Sequence, residues 1–298
     1  MKRLKDYLML LLMAAISLTA TTSCGGDDDE PTPPPFADEA VKYIAATNSK
    51  DIKSIELTAA GDYIIVIDDS NTLKPGIPSP DDNELSIKVG SYSVDADGTV
   101  RLQGYGTMVI DGSKLTLSTN AGETVVINAV KASQFAATEI NKQLCRTWAT
   151  DRIGFGIDKG NATIFDSIEP VGNLETLVRS FLTMLGITTG NGVTENEIAA
   201  YIKNTREDLP QSVILTRAGT MLMRDANGSY DLKAWRWRDE RNRIIEVCEH
   251  PETSASIYDE RMIVNVNNSE LTLRTMKVEN PGGTPRIVTS VVWGFSAR

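Results

Sequence analysis

FADEAVKYIAATNSKDIKSIELTAAG, residues 36–61, returns without a gap as TENEIAAYIKNTREDLPQSVILTRAG, residues 194–219. Glu39, Tyr43, Ile44, Thr47, Ser54, Leu57, Thr58, Ala60 and Gly61 meet identical partners at Glu197, Tyr201, Ile202, Thr205, Ser212, Leu215, Thr216, Ala218 and Gly219. Further on, Ser113–Leu117 echoes Ser269–Leu273 at a similar offset. A repeat this long means two domains built alike, not a solenoid of short units.

Each copy reads in the same order. A helix is expected first, with Val41, Ile44 and Ala45 on one face in the first copy and Ile198, Ala199, Tyr201 and Ile202 in the second. A strand then enters a turn at Ala60–Gly61 or Ala218–Gly219. Beyond the turn, segments with apolar residues at every second position take over. They are Thr99–Gln103, Lys114–Ser118 and Val125–Val130, then Leu232–Arg238, Arg243–Val247, Met262–Val266, Glu270–Thr275 and Ile287–Phe295. Asp-Gly, Asn-Gly and Asn-Asn turns between short strands indicate an antiparallel meander or barrel. The second copy has an additional opening: strands from Leu144–Trp148 and Asn161–Ile168, then an amphipathic helix over Leu174–Leu185 with Asn173 as its N-cap. The fold class is therefore mainly β with a few helices (α+β), as two duplicated antiparallel barrels or curved sheets. The first module spans 36–131 and the second 132–298, with a helical insert at 173–207.

Leu144–Cys145–Arg146–Thr147–Trp148 resembles the Leu-x-Gly-Thr-Trp opening strand of bacterial lipocalin-like (calycin-like) domains, with Arg146 in place of Gly. Ile214–Leu215–Thr216 with Gly219 is similar to the family's Phe-Thr-x-Asp-Gly-Thr strand and turn, without the aromatic. Lys233–Trp237 followed by Arg243–Val247 is similar to its Trp-x-Trp hairpin, and Gly90–Val94 to the same piece in the first module. The resemblance implies an up-and-down antiparallel barrel around a small apolar or amphipathic ligand, with no catalytic residue to carry over.

The amino terminus points to location. Lys2, Arg3 and Lys5 precede an apolar stretch, Leu8–Ala20, too short for a dependable membrane span, and Cys24 follows Thr21–Thr22–Ser23. This resembles a lipoprotein signal peptide, residues 1–23, cleaved so that Cys24 carries the lipid. Asp27, Asp28, Asp29 and Glu30 resemble the surface-export signal of Bacteroidota-type lipoproteins, and residues 24–35, rich in acid and proline, form a tether. The resemblance implies an outer-membrane, lipid-anchored protein facing the cell exterior.

Composition narrows the chemistry. The chain carries 30 Lys+Arg against 40 Asp+Glu, a net charge of −10, and loss of the basic signal peptide makes it more acidic still. Such a balance argues against nucleic acid as a partner. The one histidine, His250, sits beside Pro251 in a loop-like stretch. A catalytic triad needs a histidine held between an acid and a nucleophile, and zinc needs a fuller donor set. Nor is there a glycine-rich phosphate loop. No cofactor, no metal and no enzymatic activity are expected. After Cys24 only Cys145 and Cys248 remain. In an oxidising compartment they can pair, or they can stand as buried free thiols, and spacing does not choose between them.

Trp235–Arg236–Trp237–Arg238 alternates, so both tryptophans share one strand face and both arginines the other. With Trp148 and Tyr230, Trp235 and Trp237 are the ligand-binding candidates. Two readings compete for them: lining of a pocket or sugar platform, and core packing. The arginine face reads as an anion site or a salt-bridged surface. The leading expectation is a non-enzymatic surface lipoprotein that binds a small ligand in a barrel. The alternatives are a glycan-binding accessory protein of an outer-membrane uptake system and a structural or adhesive spacer.

Overall fold

Residues 40–46, 51–68, 85–191, 193–248, 258, 260–279 and 287–297 are described in a computed structural model of the chain. Cys24, Asp27–Glu30 and His250 lie outside the described residues, as do the signal and tether segments. The described chain divides into two compact units. One holds residues 40–146 with 215–219, the other residues 147–214 with 220–297.

In the first unit eight consecutive strands close on themselves. They are β1 (Val41–Ala45), β2 (Ile52–Leu57), β3 (Asp62–Asp68), β4 (Leu85–Val94), β5 (Val100–Leu102), β6 (Gly106–Asp111), β7 (Lys114–Thr119) and β8 (Thr124–Lys131). β1 pairs antiparallel with β2, Tyr43 opposite Ile55, and with β8, Ile44 opposite Val130. The helix expected over Val41–Ala45 is therefore a strand. The matching segment of the second unit is a helix, and the difference lies at its start. There Thr194 accepts a hydrogen bond from Glu197 N at 3.2 Å while the Glu197 carboxylate accepts one from Thr194 N at 2.7 Å, a complete capping box. At the first copy's equivalent of Thr194 stands Phe36, which has no oxygen to cap with. Without a cap a short helix is marginal, and the alternation of Val41 and Tyr43 suits a barrel strand.

The turn that ends the repeat is the same in both copies. Gly61 N donates to Thr58 O at 3.2 Å, and Gly219 N donates to Thr216 O at 3.1 Å. Both glycines have φ above +80°, a conformation that costs other residues ~1–2 kcal/mol. The identity at Gly61/Gly219 is thus accounted for by one turn, and in the first copy Thr58 Oγ1 also accepts from Asp62 N at 3.0 Å.

The interior of the first barrel is a contiguous apolar cluster. Tyr43, Tyr63 and Tyr92 share it with Ile55, Ile65, Val100, Met108, Leu115, Leu117 and Ile127. The phenols reach the barrel ends: Tyr63 Oη donates to Gln103 O and Tyr92 Oη to Thr58 O, each at 2.9 Å. Beyond β8, Thr138 caps the short helix α1 (Glu139–Leu144).

The second unit is built on β9 (Thr147–Lys159), a strand of 13 residues. It is followed by β10 (Ala162–Pro170), helices α2 (Leu174–Met184) and α3 (Glu195–Glu207), and then β11 (Ser212–Leu215) and β12 (Thr220–Arg224). The meander continues through β13 (Tyr230–Asp239), β14 (Ile244–Cys248), β15 (Glu260–Val266), β16 (Glu270–Glu279) and β17 (Ile287–Ala297). Sheet order is β10-β9-β11-β12-β13-β14-β15-β16-β17, and β17 pairs back onto β9 to close the barrel. The first part of β9 pairs with β11, Trp148 opposite Val213, and its remainder extends past that contact to pair with β10. β1 and β9 therefore hold the same place in the two barrels, and α2 and α3 are an insertion before β11.

Candidate functional site

The connections of the second barrel differ between its two ends. One end carries tight turns, at Thr216–Gly219, between β13 and β14, and at Asn267–Glu270. Toward the other lies the insert of α2 and α3. Buried on α2 are Leu174, Leu177, Val178, Phe181 and Leu182, spaced by three and four residues on a single face. That face packs with Ile153, Phe155 and Ile157 of β9, Phe165 of β10, and Val291 and Trp293 of β17. The Phe181 ring stacks on Phe155, centroids 4.8 Å apart, and meets Phe165 edge-on at 5.6 Å. α3 adds Ile198 and Ile202 to the same cluster. Each such side chain contributes ~1.5–3 kcal/mol by leaving water. The expected helix over Leu174–Leu185 covers the inner face of β10-β9-β17 as a lid would. Asn173 does precede the helix, but its side chain makes no cap bond there. Its amide instead donates to Glu169 Oε2 at 3.4 Å.

An ion-pair latch joins the two helices. Arg179 of α2 binds Glu175 one turn back, at 2.9 Å, and also Glu195 in the first turn of α3. The two carboxylates hold the guanidinium pKa well above its ordinary value, Glu195 contributing most, and Arg179 in turn depresses that of Glu195. On the solvent side of the helices a cleft of about 250 Å³ is lined by Arg179, Ile202, Lys203 and Arg206 among others. Its Lys203 pairs with Glu207 at 3.6 Å.

Inside the barrel, strand alternation brings all four tryptophans of the chain to one lining. Trp148 lies opposite Ala297, Trp235 opposite Val247, Trp237 opposite Ile245, and Trp293 opposite Ile153. Trp148 is 0% and Trp235 1% exposed, while Trp237 and Trp293 are half-buried. Trp235 and Trp237 meet edge to face with centroids 5.7 Å apart. Met221 and Lys233 face each other further along the same lining, with the lysine side chain 13% exposed. Of the predicted candidates, then, Trp148, Trp235 and Trp237 share the interior. Tyr230 does not: it falls on the opposite face of β13, opposite Arg224, whose guanidinium stands 5.9 Å from its ring. Trp293 went unrecognised, although its alternation with Phe295 in Ile287–Phe295 carried the needed signal.

The arginine face of β13 is a salt-bridged surface. Both oxygens of the Glu246 carboxylate, 7% exposed, are engaged: Arg236 donates to Oε2 at 2.9 Å and Arg238 to Oε1 at 2.5 Å. Hydrogen bonds from Arg238 and then Arg236 hold its pKa below the usual carboxylate range. Both other candidate cysteines are free thiols in the structure, Cys145 half-buried and Cys248 buried, and burial pushes the Cys145 pKa well up. Among the described residues no group of three or more His, Cys, Asp or Glu is placed to hold a metal ion, and no helix is long and apolar enough to cross a membrane.

Two closed eight-stranded antiparallel barrels, repeated along one chain, define a lipocalin-like architecture. No family model matches the chain, and no curated protein matches it. Among solved structures it is similar to a protein of unknown function of the DUF3598 family from Nostoc punctiforme. That match has 7% identity and a TM-score of 0.20, covering 86% of this chain and 94% of the other.

Proposed function

We propose that this protein is a non-enzymatic, lipid-anchored binding protein whose second barrel carries a small apolar or amphipathic ligand. The observation behind this reading is the contrast between the two interiors. Tyrosines that donate to backbone carbonyls tie down the ends of the first barrel. The second gathers four tryptophans, and part of its inner wall lies beneath a separately latched pair of helices. A lid held by apolar packing and one exposed ion-pair cluster can lift at a cost well below that of unfolding a barrel. The first barrel then serves as a spacer.

The near-complete burial of Trp235 weighs against a sugar-stacking platform at that residue. It suits either a pocket wall or a packed core, so a wholly structural protein is the second reading. Native mass spectrometry of the mature chain from its own host separates them. A carrier retains a molecule of a few hundred daltons that is lost on organic extraction and returns on reloading. A clean protein mass, together with failure of an apolar fluorophore to quench the tryptophans, sinks the carrier reading.

The anchor and surface location rest on Cys24 and on the acidic run Asp27–Glu30. Metabolic labelling with an alkyne fatty acid should mark the wild type and not Cys24→Ala. Replacing Asp27–Glu30 by alanine should leave the protein lipidated but protected from protease added to whole cells. Equal labelling of Cys24→Ala would remove the anchor from the proposal.

A further inference from the structure

Glu246 is the centre of an unbalanced cluster. Arg236 and Arg261 are its directly paired neighbours on the strands to either side, and Arg238 reaches it diagonally. Arg261 Nε lies 3.6 Å from the carboxylate. Three guanidiniums thus surround a single carboxylate on the outer face of β13-β14-β15. They are half-exposed, at 53%, 45% and 56% for Arg236, Arg238 and Arg261. Each guanidinium has five N–H donors, more than one carboxylate can satisfy for three of them. Among the described residues no second carboxylate pairs with these three side chains, which Glu246 holds in place. Arg236 is fixed further by the Tyr258 ring, 4.0 Å from its carbon centre.

We propose that this face binds an acidic polysaccharide, its carboxylate or sulfate groups paired with Arg236, Arg238 and Arg261. Arg236 and Arg238 lie on β13 and Arg261 on β15, the strands flanking β14 that carries Glu246, so the arginines spread over two strand spacings, roughly 10 Å, of the outer face. A row suits an extended ligand with several anionic groups better than one small anion, and guanidinium forks match carboxylate and sulfate oxygens. Beside Arg261 the same outer face bears Met276, 41% exposed, as an apolar surface for the C–H faces of sugar rings. A nucleic acid is disfavoured because the nearby Tyr258 ring, which could stack a base, is already used by Arg236. The site lies on the outside of the barrel and does not depend on a ligand within it.

The test is calorimetric titration of the mature chain with polygalacturonate and chondroitin sulfate at low salt, with polyphosphate and a DNA oligonucleotide as comparisons. Binding should weaken with added salt as expected for two or three ionic contacts. Arg238→Gln/Arg261→Gln keeps the Arg236–Glu246 pair and should lose about tenfold or more in affinity, ~1.4 kcal/mol. Lys203→Gln/Arg206→Gln on α3 removes the same charge elsewhere and should leave affinity nearly unchanged. Arg261→Gln alone, which disturbs only the longest contact, gives the same direction if the pair misfolds. The proposal is overturned if neither polysaccharide binds, if the α3 variant loses as much, or if only polyphosphate or DNA binds.

Discussion

The ring of Tyr63 lies over Gly90, its directly opposite neighbour on the next strand: a Cβ built at Gly90 would come 2.8 Å from Tyr63 Cε1 and Oη. The glycine makes room for the ring, and the ring covers backbone that the glycine leaves bare. Its hydroxyl then reaches Gln103 O, so one residue pair fixes both the register of β3 with β4 and the link to the turn after β5. Gly90→Ala should therefore destabilise the first barrel by ~1–3 kcal/mol, as overpacking does. Tyr63→Ala should cost ~3–5 kcal/mol. The double variant should lose clearly less than the sum, because the added methyl fills space the ring has vacated. Urea unfolding of the four proteins measures this cycle, and strict additivity would show that the two residues do not support one another.

Tyr92 should make the first barrel sensitive to alkali. Burial, with Asp62 nearby, pushes its phenol pKa up to about 12, and burial likewise raises those of Tyr43, Tyr63 and Tyr105. A proton held more tightly in the folded state stabilises it fully below the unfolded value of ~10. That stability is lost as pH climbs from there through about 12. Absorbance titration should show a late-ionising class of tyrosines whose release coincides with unfolding. Tyr92→Phe should shrink this class, while costing some stability at neutral pH through loss of its bond to Thr58 O. Ionisation of every tyrosine near pH 10 in folded protein would contradict the buried placement.

Much of the architecture was legible because it rests on period-two patterning and turn chemistry. The strands from Lys114 to Thr119 and from Trp235 to Arg238 alternate cleanly, and the identities at Gly61 and Gly219 mark one turn. The Val41–Ala45 segment was misread because five residues hold barely more than one helical turn, too few to separate the two periods. A missing N-cap was the available discriminator. The Arg236–Glu246–Arg261 row could not be read at all, since it depends on which strands lie side by side. The shared lining of Trp148 and Trp293 with Trp235 likewise needed barrel closure through β9 and β17.

Trp235 and Trp237 should separate in their effects. Trp235, fully buried, should cost ~3–5 kcal/mol on change to Ala and behave as core; Trp237, half-buried, should cost less. If the barrel carries a ligand, Trp237→Leu should weaken quenching by an apolar fluorophore with little change in the unfolding midpoint. Equal destabilisation by both substitutions would place Trp237 in the packed core and favour the structural reading.

The lid should be separable from the barrel. Phe181 touches both Phe155 and Phe165, so Phe181→Ala removes the central contact between α2 and the sheet. Native-state hydrogen exchange should then quicken across α2 and α3 while β13–β16 stay protected. Arg179→Gln, which cuts the latch to Glu195 but leaves the apolar face intact, should give the same pattern more weakly. Uniform acceleration through the whole unit would mean that the helices are part of the barrel's cooperative core.

Glu246 should link acid to loss of stability in the second barrel. Its carboxyl titrates below the usual range because Arg238 and Arg236 donate to the charged form. A depressed folded value contributes stability that is present above the unfolded pKa of ~4.3 and disappears as pH falls through the folded one. Glu246→Gln removes the charge at every pH and leaves Arg236, Arg238 and Arg261 to repel one another. The variant should therefore melt below the wild type at pH 7, and the gap should narrow as both are acidified. Thermal unfolding followed by tryptophan fluorescence reads this unit directly, since Trp235 and Trp237 lie on β13, the strand that carries Arg236 and Arg238. A gap of constant size from neutral to acid pH would show that the carboxylate's charge does not hold the three arginines together.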